Sequence, residues 1–163
     1  MKRRRLALRA LALLLSVVGA TVVASPAQAF EPRPPAILYH GHVFSGAAAG
    51  CLDPGIPANT QVWFCSSANT QVWTYSSRFR MIINYALNKC LDDGAGINGS
   101  GAFLNTCDMN SQHQRWFYDN TTFLINVASG RCLDWDMTGF SIKVEVWDCN
   151  SGANQQWFFE FED

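Results

Sequence analysis

The sequence predicts an all-β domain built from three copies of one unit. A cysteine, a polar stretch and Gln-x-Trp recur as "CSSANTQVW" (65–73), "CDMNSQHQRW" (107–116) and "CNSGANQQW" (149–157). Upstream of each lies Cys-Leu-Asp, in "FSGAAAGCLD", "INYALNKCLD" and "INVASGRCLD", with an apolar residue seven places before the cysteine. The intervening stretches "RMIINYAL", "TFLINVA", "IKVEVWDC" and "QQWFFEF" are short, β-branched and aromatic, and Gly, Asn, Asp and Ser punctuate them. Beyond the N-terminal segment no stretch carries a helical period of useful length.

Taken in order, residues 1–29 read as a secretory signal peptide: a basic start "MKRRR", an apolar run, and "AQA" at 27–29 before a cleavage site after Ala29. The arginine run leaves both general and twin-arginine export open. "FEPRPPA" (30–36) reads as an extended leader, because proline fixes φ and removes donors. The expected mature chain of 134 residues keeps 7 of the 12 basic residues and all 13 acidic ones, a balance of about −6. That excludes a phosphate-neutralising patch, so neither nucleic acid nor an anionic membrane is an expected partner.

The three units then follow. Their Gln-x-Trp tryptophans, Trp73, Trp116 and Trp157, are 43 and 41 residues apart, and their first cysteines 39 and 42. The six cysteines pair most simply within units, as Cys51–Cys65, Cys90–Cys107 and Cys132–Cys149, at separations of 14, 17 and 17. No C-x-x-C spacing favours zinc. Trp73, Trp116, Trp157, Leu52, Leu91 and Leu133 occur in every unit and read as shared core.

Cys-Leu-Asp followed by Gln-x-Trp, three times at about forty residues, resembles the ricin B-chain type lectin family over roughly residues 37–161. The resemblance implies a β-trefoil, three four-stranded units around a pseudo-threefold axis, occupying residues 37–163. It implies carbohydrate binding, with galactose-type sugars or a plant-type polysaccharide such as xylan as ligands.

Differences between the units point to a site. Trp63 and Trp147 stand two residues before the second cysteine, where the middle unit has Asn105. A replaceable tryptophan belongs at a surface, where its flat face can stack on the C–H face of a pyranose. Asp53, Asp92 and Asp134 can accept from vicinal hydroxyls, or cap their own turns. Asn154 precedes the motif glutamine, where the family places a sugar-binding residue; the corresponding residues are Thr70, after Asn69, and His113. The family also tends to carry Gln two before the stacking aromatic, which Gln61 matches and Glu145 alters. Of the motif glutamines, Gln155 joins the best candidate site with Asp134, Glu145, Trp147 and Asn154. Gln71 goes with Asp53, Gln61 and Trp63, behind a loop of 10 rather than 13 residues bearing two prolines. Asp92 and Gln114 lack a stacking aromatic and read as vestigial.

No enzyme is expected. Acids are available for a glycosidase pair (Asp92/Asp93, Asp134/Asp136, Asp148), but the Cys-Leu-Asp carboxylate recurs with the repeat, as binding sites do. No serine-hydrolase, zincin or phosphate-loop motif occurs. His40 and His42 share a face of "HGH" without a third ligand, so neither metal nor cofactor is expected. "NGS" (98–100) and "NTT" (120–122) are sequons. The reading is a secreted, monomeric carbohydrate-binding protein; its rival is a secreted protein-binding trefoil such as a protease inhibitor.

Overall fold

The computed structural model describes residues 38–56, 59–118 and 122–160. The expected signal peptide and leader lie outside them, as does Asn120 of the second sequon. The regular structure of the described residues is β apart from two 3₁₀ turns, Asn69–Gln71 and Ala153–Gln155. The first unit contains β1 (Leu38–Gly41), β2 (Val43–Ser45), β3 (Cys51–Asp53), β4 (Gln61–Trp63) and β5 (Trp73–Ser76). The second contains β6 (Met81–Asn84), β7 (Lys89–Asp92), β8 (Ser100–Gly101), β9 (Phe103–Asn105) and β10 (Trp116–Tyr118). The third contains β11 (Leu124–Asn126), β12 (Cys132–Trp135), β13 (Val144–Trp147) and β14 (Trp157–Phe159).

All pairing is antiparallel, and it links the units in a ring. The last strand of each unit pairs with the first main strand of the next: β5 with β6, β10 with β11, and β14 with β2. At one level three equivalent residues hydrogen-bond in a cycle: Thr60 N–H to Ala102 O, Ala102 N–H to Val144 O, and Val144 N–H to Thr60 O, at 3.0, 2.9 and 3.0 Å. All three are buried. This ring positions the residues that follow it: Gln61, Phe103 and Glu145.

The two sequence motifs prove to be halves of one clamp. Trp73, Trp116 and Trp157 are fully buried, and each indole Nε1 donates to the leucine carbonyl of its own Cys-Leu-Asp (Leu52, Leu91, Leu133), at 2.9 Å in every unit. A buried indole needs that acceptor. Tyr39, Tyr75, Tyr118 and Phe159 pack as stacked and edge-on rings against this core. Three disulfides join Cys51–Cys65, Cys90–Cys107 and Cys132–Cys149, with Cα atoms 5.1, 5.0 and 5.1 Å apart.

One recurring residue carried no weight in the sequence. Asn84 and Asn126 are buried, and each donates from Nδ2 to a carbonyl of the Gln-x-Trp turn, Thr70 O and His113 O, at 2.7 Å. Their Oδ1 atoms accept from Leu87 N–H and Ala128 N–H, closing the turn that leads to the first cysteine. The first unit has Ser45 there.

Candidate functional site

The motif glutamines lie beneath the surface rather than on it. Gln71, Gln114 and Gln155 are buried. Each donates from Nε2 to its unit's aspartate: to Asp53 Oδ2 at 3.0 Å, Asp92 Oδ2 at 3.1 Å and Asp134 Oδ2 at 2.7 Å. Each also donates to a carbonyl beside the second cysteine (Phe64, Thr106, Asp148) and accepts a backbone N–H (Ser66, Asp108, Asn150). With both amide hydrogens committed, these side chains hold the aspartate and have no donor left for a ligand. Where the sequence suggested direct contact with sugar, the geometry gives them the task of orienting the aspartate.

The aspartates diverge in what else they do. Asp53 Oδ1 accepts from Gly55 N–H at 2.8 Å, and Asp92 Oδ1 from Gly94 N–H at 3.0 Å. Both glycines are left-handed, at φ +63° and +66°, so the chain curls back onto the carboxylate. The third unit reads "CLDWD", with Asp136 in place of that glycine. Here β12 continues to Trp135, which pairs with Val144, and Asp136 N–H goes to Lys143 O at 3.0 Å. Asp134 is thus not used by its own turn. The contrast between "CLDPG", "CLDDG" and "CLDWD" was a legible signal that the aspartate in the third unit faces a different task.

Around Asp134 lies a cavity of about 340 Å³ lined by Asp134, Asp136, Met137, Thr138, Glu145, Trp147, Asn150 and Asn154. The register of β12 and β13 sets Asp134 opposite Glu145 and Cys132 opposite Trp147. Trp147 is 41% exposed, as a stacking platform requires. Asn154 donates from Nδ2 to Asp134 Oδ1 at 2.9 Å and to Trp135 O at 3.2 Å. Burial holds the Asp134 carboxyl above its ordinary value; the Gln155 and Asn154 amides oppose this, and the charges of Glu145 and Asp136 reinforce it. Asp136 is half-buried, and its carboxyl lies below the usual value because the Thr138 hydroxyl and N–H donate to it.

Lys143, which the sequence did not single out, places Nζ 2.7 Å from Glu145 Oε2 and 2.7 Å from Gly99 O. Gly99 belongs to a loop of the second unit that backs Trp147: a Cβ there would lie 3.5 Å from its ring. In the same loop Asn98 accepts from Asp148 N–H and Arg131 Nε and donates to Asp148 Oδ2, which commits the amide of the first sequon.

The first unit assembles differently. Gln61 Nε2 donates to Asp53 Oδ1 at 3.0 Å, adding to Gly55 and Gln71 on the same carboxylate. Trp63 is 48% exposed but lines another cavity of about 220 Å³, apolar, with Val62, Phe64, Trp135 and Ile142. In the second unit Asp92 is buried opposite Phe103, and Cys90 pairs with exposed Asn105. His113, the counterpart of Asn154, turns to Asp93 instead, with Nδ1 2.6 Å from Oδ1. His40 and His42 engage Thr74 Oγ1 and Ser66 O.

Known structures share this architecture. The haemolytic lectin CEL-III aligns at TM-score 0.68 and 22% identity, over 77% of this chain and 31% of its own. The agglutinin from Abrus precatorius aligns at 0.67 and 19%, over 79% of this chain and 51% of its own. The C-half of the earthworm R-type lectin, solved with GalNAc, aligns at 0.61 and 14%, over 76% of this chain and 99% of its own. The chain therefore spans about a third of CEL-III and half of the Abrus agglutinin. No curated protein matches it by sequence. A sequence model of the ricin-type beta-trefoil lectin domain matches residues 39–157, and with the threefold strand pairing and the repeated Trp–Leu and Gln–Asp clamps this chain belongs to the ricin-type β-trefoil lectin family.

Proposed function

We propose that the protein is a secreted carbohydrate-binding protein whose third repeat forms the working site. One observation carries this reading: Asp134 alone among the three Cys-Leu-Asp aspartates is left out of its own turn, and it shares a cavity with an exposed tryptophan. A sugar ring stacks on Trp147 while adjacent hydroxyls donate to Asp134, whose position Asn154 and Gln155 hold. Galactose-type sugars and xylan-type polysaccharides are the ligand classes to try first. In the first repeat Gln61 occupies the acceptor that a hydroxyl would use, and the second repeat has no aromatic platform. Neither contributes a site in this reading, and the protein acts through binding rather than catalysis.

Export by the 1–29 segment agrees with six cysteines all placed in disulfides. The mature chain then begins at Phe30 and acts as a monomer. A glycan array probed with the parent and with Asp134→Ala tests the reading. The parent retains a defined set of glycans and the variant loses them. Inhibition across a protease panel with an empty array would replace this reading with the protein-binding one.

A further inference from the structure

The charge of the third-repeat cavity is one-sided. Asp134, Asp136 and Glu145 line it with three carboxylates, and no lining side chain is basic. Asn154 has committed Nδ2 to Asp134 Oδ1 and Trp135 O, leaving Oδ1, an acceptor. The Thr138 hydroxyl donates to Asp136. Lys143, the nearby cation, is engaged by Glu145 Oε2 and Gly99 O. Arg131 is held by Asp148, Asn98 and Gly96 O. Glu145 lines the cavity with a side chain only 9% exposed; Lys143 takes its Oε2, while its Oε1 takes no hydrogen bond among the described residues and stays open to solvent. An acceptor that lines a cavity has its donor supplied by whatever fills the cavity.

A hydroxyl supplies one donor and no charge. A protonated amine supplies three donors and a positive charge, and its bonds to carboxylates are the stronger, charge-assisted kind. It also gains from the face of an exposed tryptophan. We propose that the third-repeat site selects sugar units carrying a free, protonated amine over the same sugars with a hydroxyl or an N-acetyl group at that carbon, with Glu145 as the specificity-determining residue. This rests on the proposed sugar-binding role of the site: Trp147 and Asp134 hold the ring, and Glu145 reads the amine.

The test is an NMR titration of matched series, galactose with galactosamine and N-acetylgalactosamine, and glucose with glucosamine, followed at the Trp147 indole near neutral pH. The amine member of a series binds about fivefold tighter than its hydroxyl member. Raising the pH until the amine is neutral brings that ratio to near one in the unmodified protein. Glu145→Gln also brings it to near one at neutral pH. Equal binding of amine and hydroxyl forms overturns the proposal, and a ratio unmoved by Glu145→Gln overturns the role of that residue. If methylammonium shifts Trp147 as strongly as galactosamine does, the site reads a bare cation and the sugar selectivity falls. If no member of any series shifts Trp147, the sugar-binding role of the site fails, and this inference with it.

Discussion

Gln61 donates its side-chain amide to Asp53 Oδ1 at 3.0 Å beside the Gly55 N–H, whereas Asp134 Oδ1 takes one bond, from Asn154, and keeps acceptor capacity towards its cavity. At the matching position the third repeat has Glu145, which cannot donate to a carboxylate. Asp53 therefore acts as a structural hub, taking bonds from Gly55, Gln61 and Gln71. Asp53→Ala is expected to lower stability by about 1–3 kcal/mol, the cost of leaving buried donors unpaired, while sugar affinity is unchanged. Asp134→Ala is expected to abolish binding. Thermal melts and calorimetric titration of both variants check this, and a loss of binding in Asp53→Ala with Asp134→Ala unaffected would reverse the assignment.

The two tryptophans of the third repeat separate scaffold from platform. Trp157 is fully buried and bonded to Leu133 O. Trp157→Ala is expected to cost roughly 3–5 kcal/mol, enough to unfold much of a domain this small. Trp147→Ala is expected to stay folded, with a small change in melting temperature, and to lose ligand-induced changes in tryptophan fluorescence. Comparable destabilisation in both variants would place Trp147 in the core.

The elevated Asp134 carboxyl gives binding a pH signature. Hydroxyls donate to the carboxylate, so binding is lost as pH falls through the folded-state pKa of Asp134. Burial sets that pKa above the ordinary aspartate value of about 3.9, so the loss begins at a milder acidity than a solvated aspartate would give. Stability runs the other way. The folded chain holds this proton more tightly than the unfolded chain does. The contribution of Asp134 therefore favours folding at low pH and fades as pH rises through the folded value. Titration of a neutral sugar across the acid range checks the first, and urea unfolding of Asp134→Asn beside the parent checks the second. Affinity constant down to the ordinary aspartate range would contradict the environment described.

Each disulfide closes a short loop inside its own repeat. Replacing Cys132 and Cys149 by serine is expected to lower stability by about 3 kcal/mol in the chain-entropy account of a loop this size. It is also expected to weaken binding, because the bridge anchors β12 beside Trp147. Non-reducing peptide mapping of the parent yields the three bridges within repeats; a bridge between repeats would be incompatible with the structure.

The sequence alone determined the class of fold, the three units, the cysteine pairs and the identity of the buried tryptophans. Its repetition reported these because a structural requirement met three times is written three times: each indole needs a leucine carbonyl, and each Cys-Leu-Asp carboxylate needs a glutamine. The exposure of Trp63 and Trp147 was legible for the converse reason, since Asn105 can replace them where no core depends on them. Tertiary structure decided what each polar group has left to offer. Hydrogen-bond capacity depends on partners brought together from distant strands, so only the folded chain places Gln155 beneath Asp134, spends Gln61 on Asp53, turns His113 to Asp93 and brings Lys143 to one oxygen of Glu145. It also gives Trp63 an apolar cavity, because Trp135 and Ile142 of the third repeat line that cavity with it.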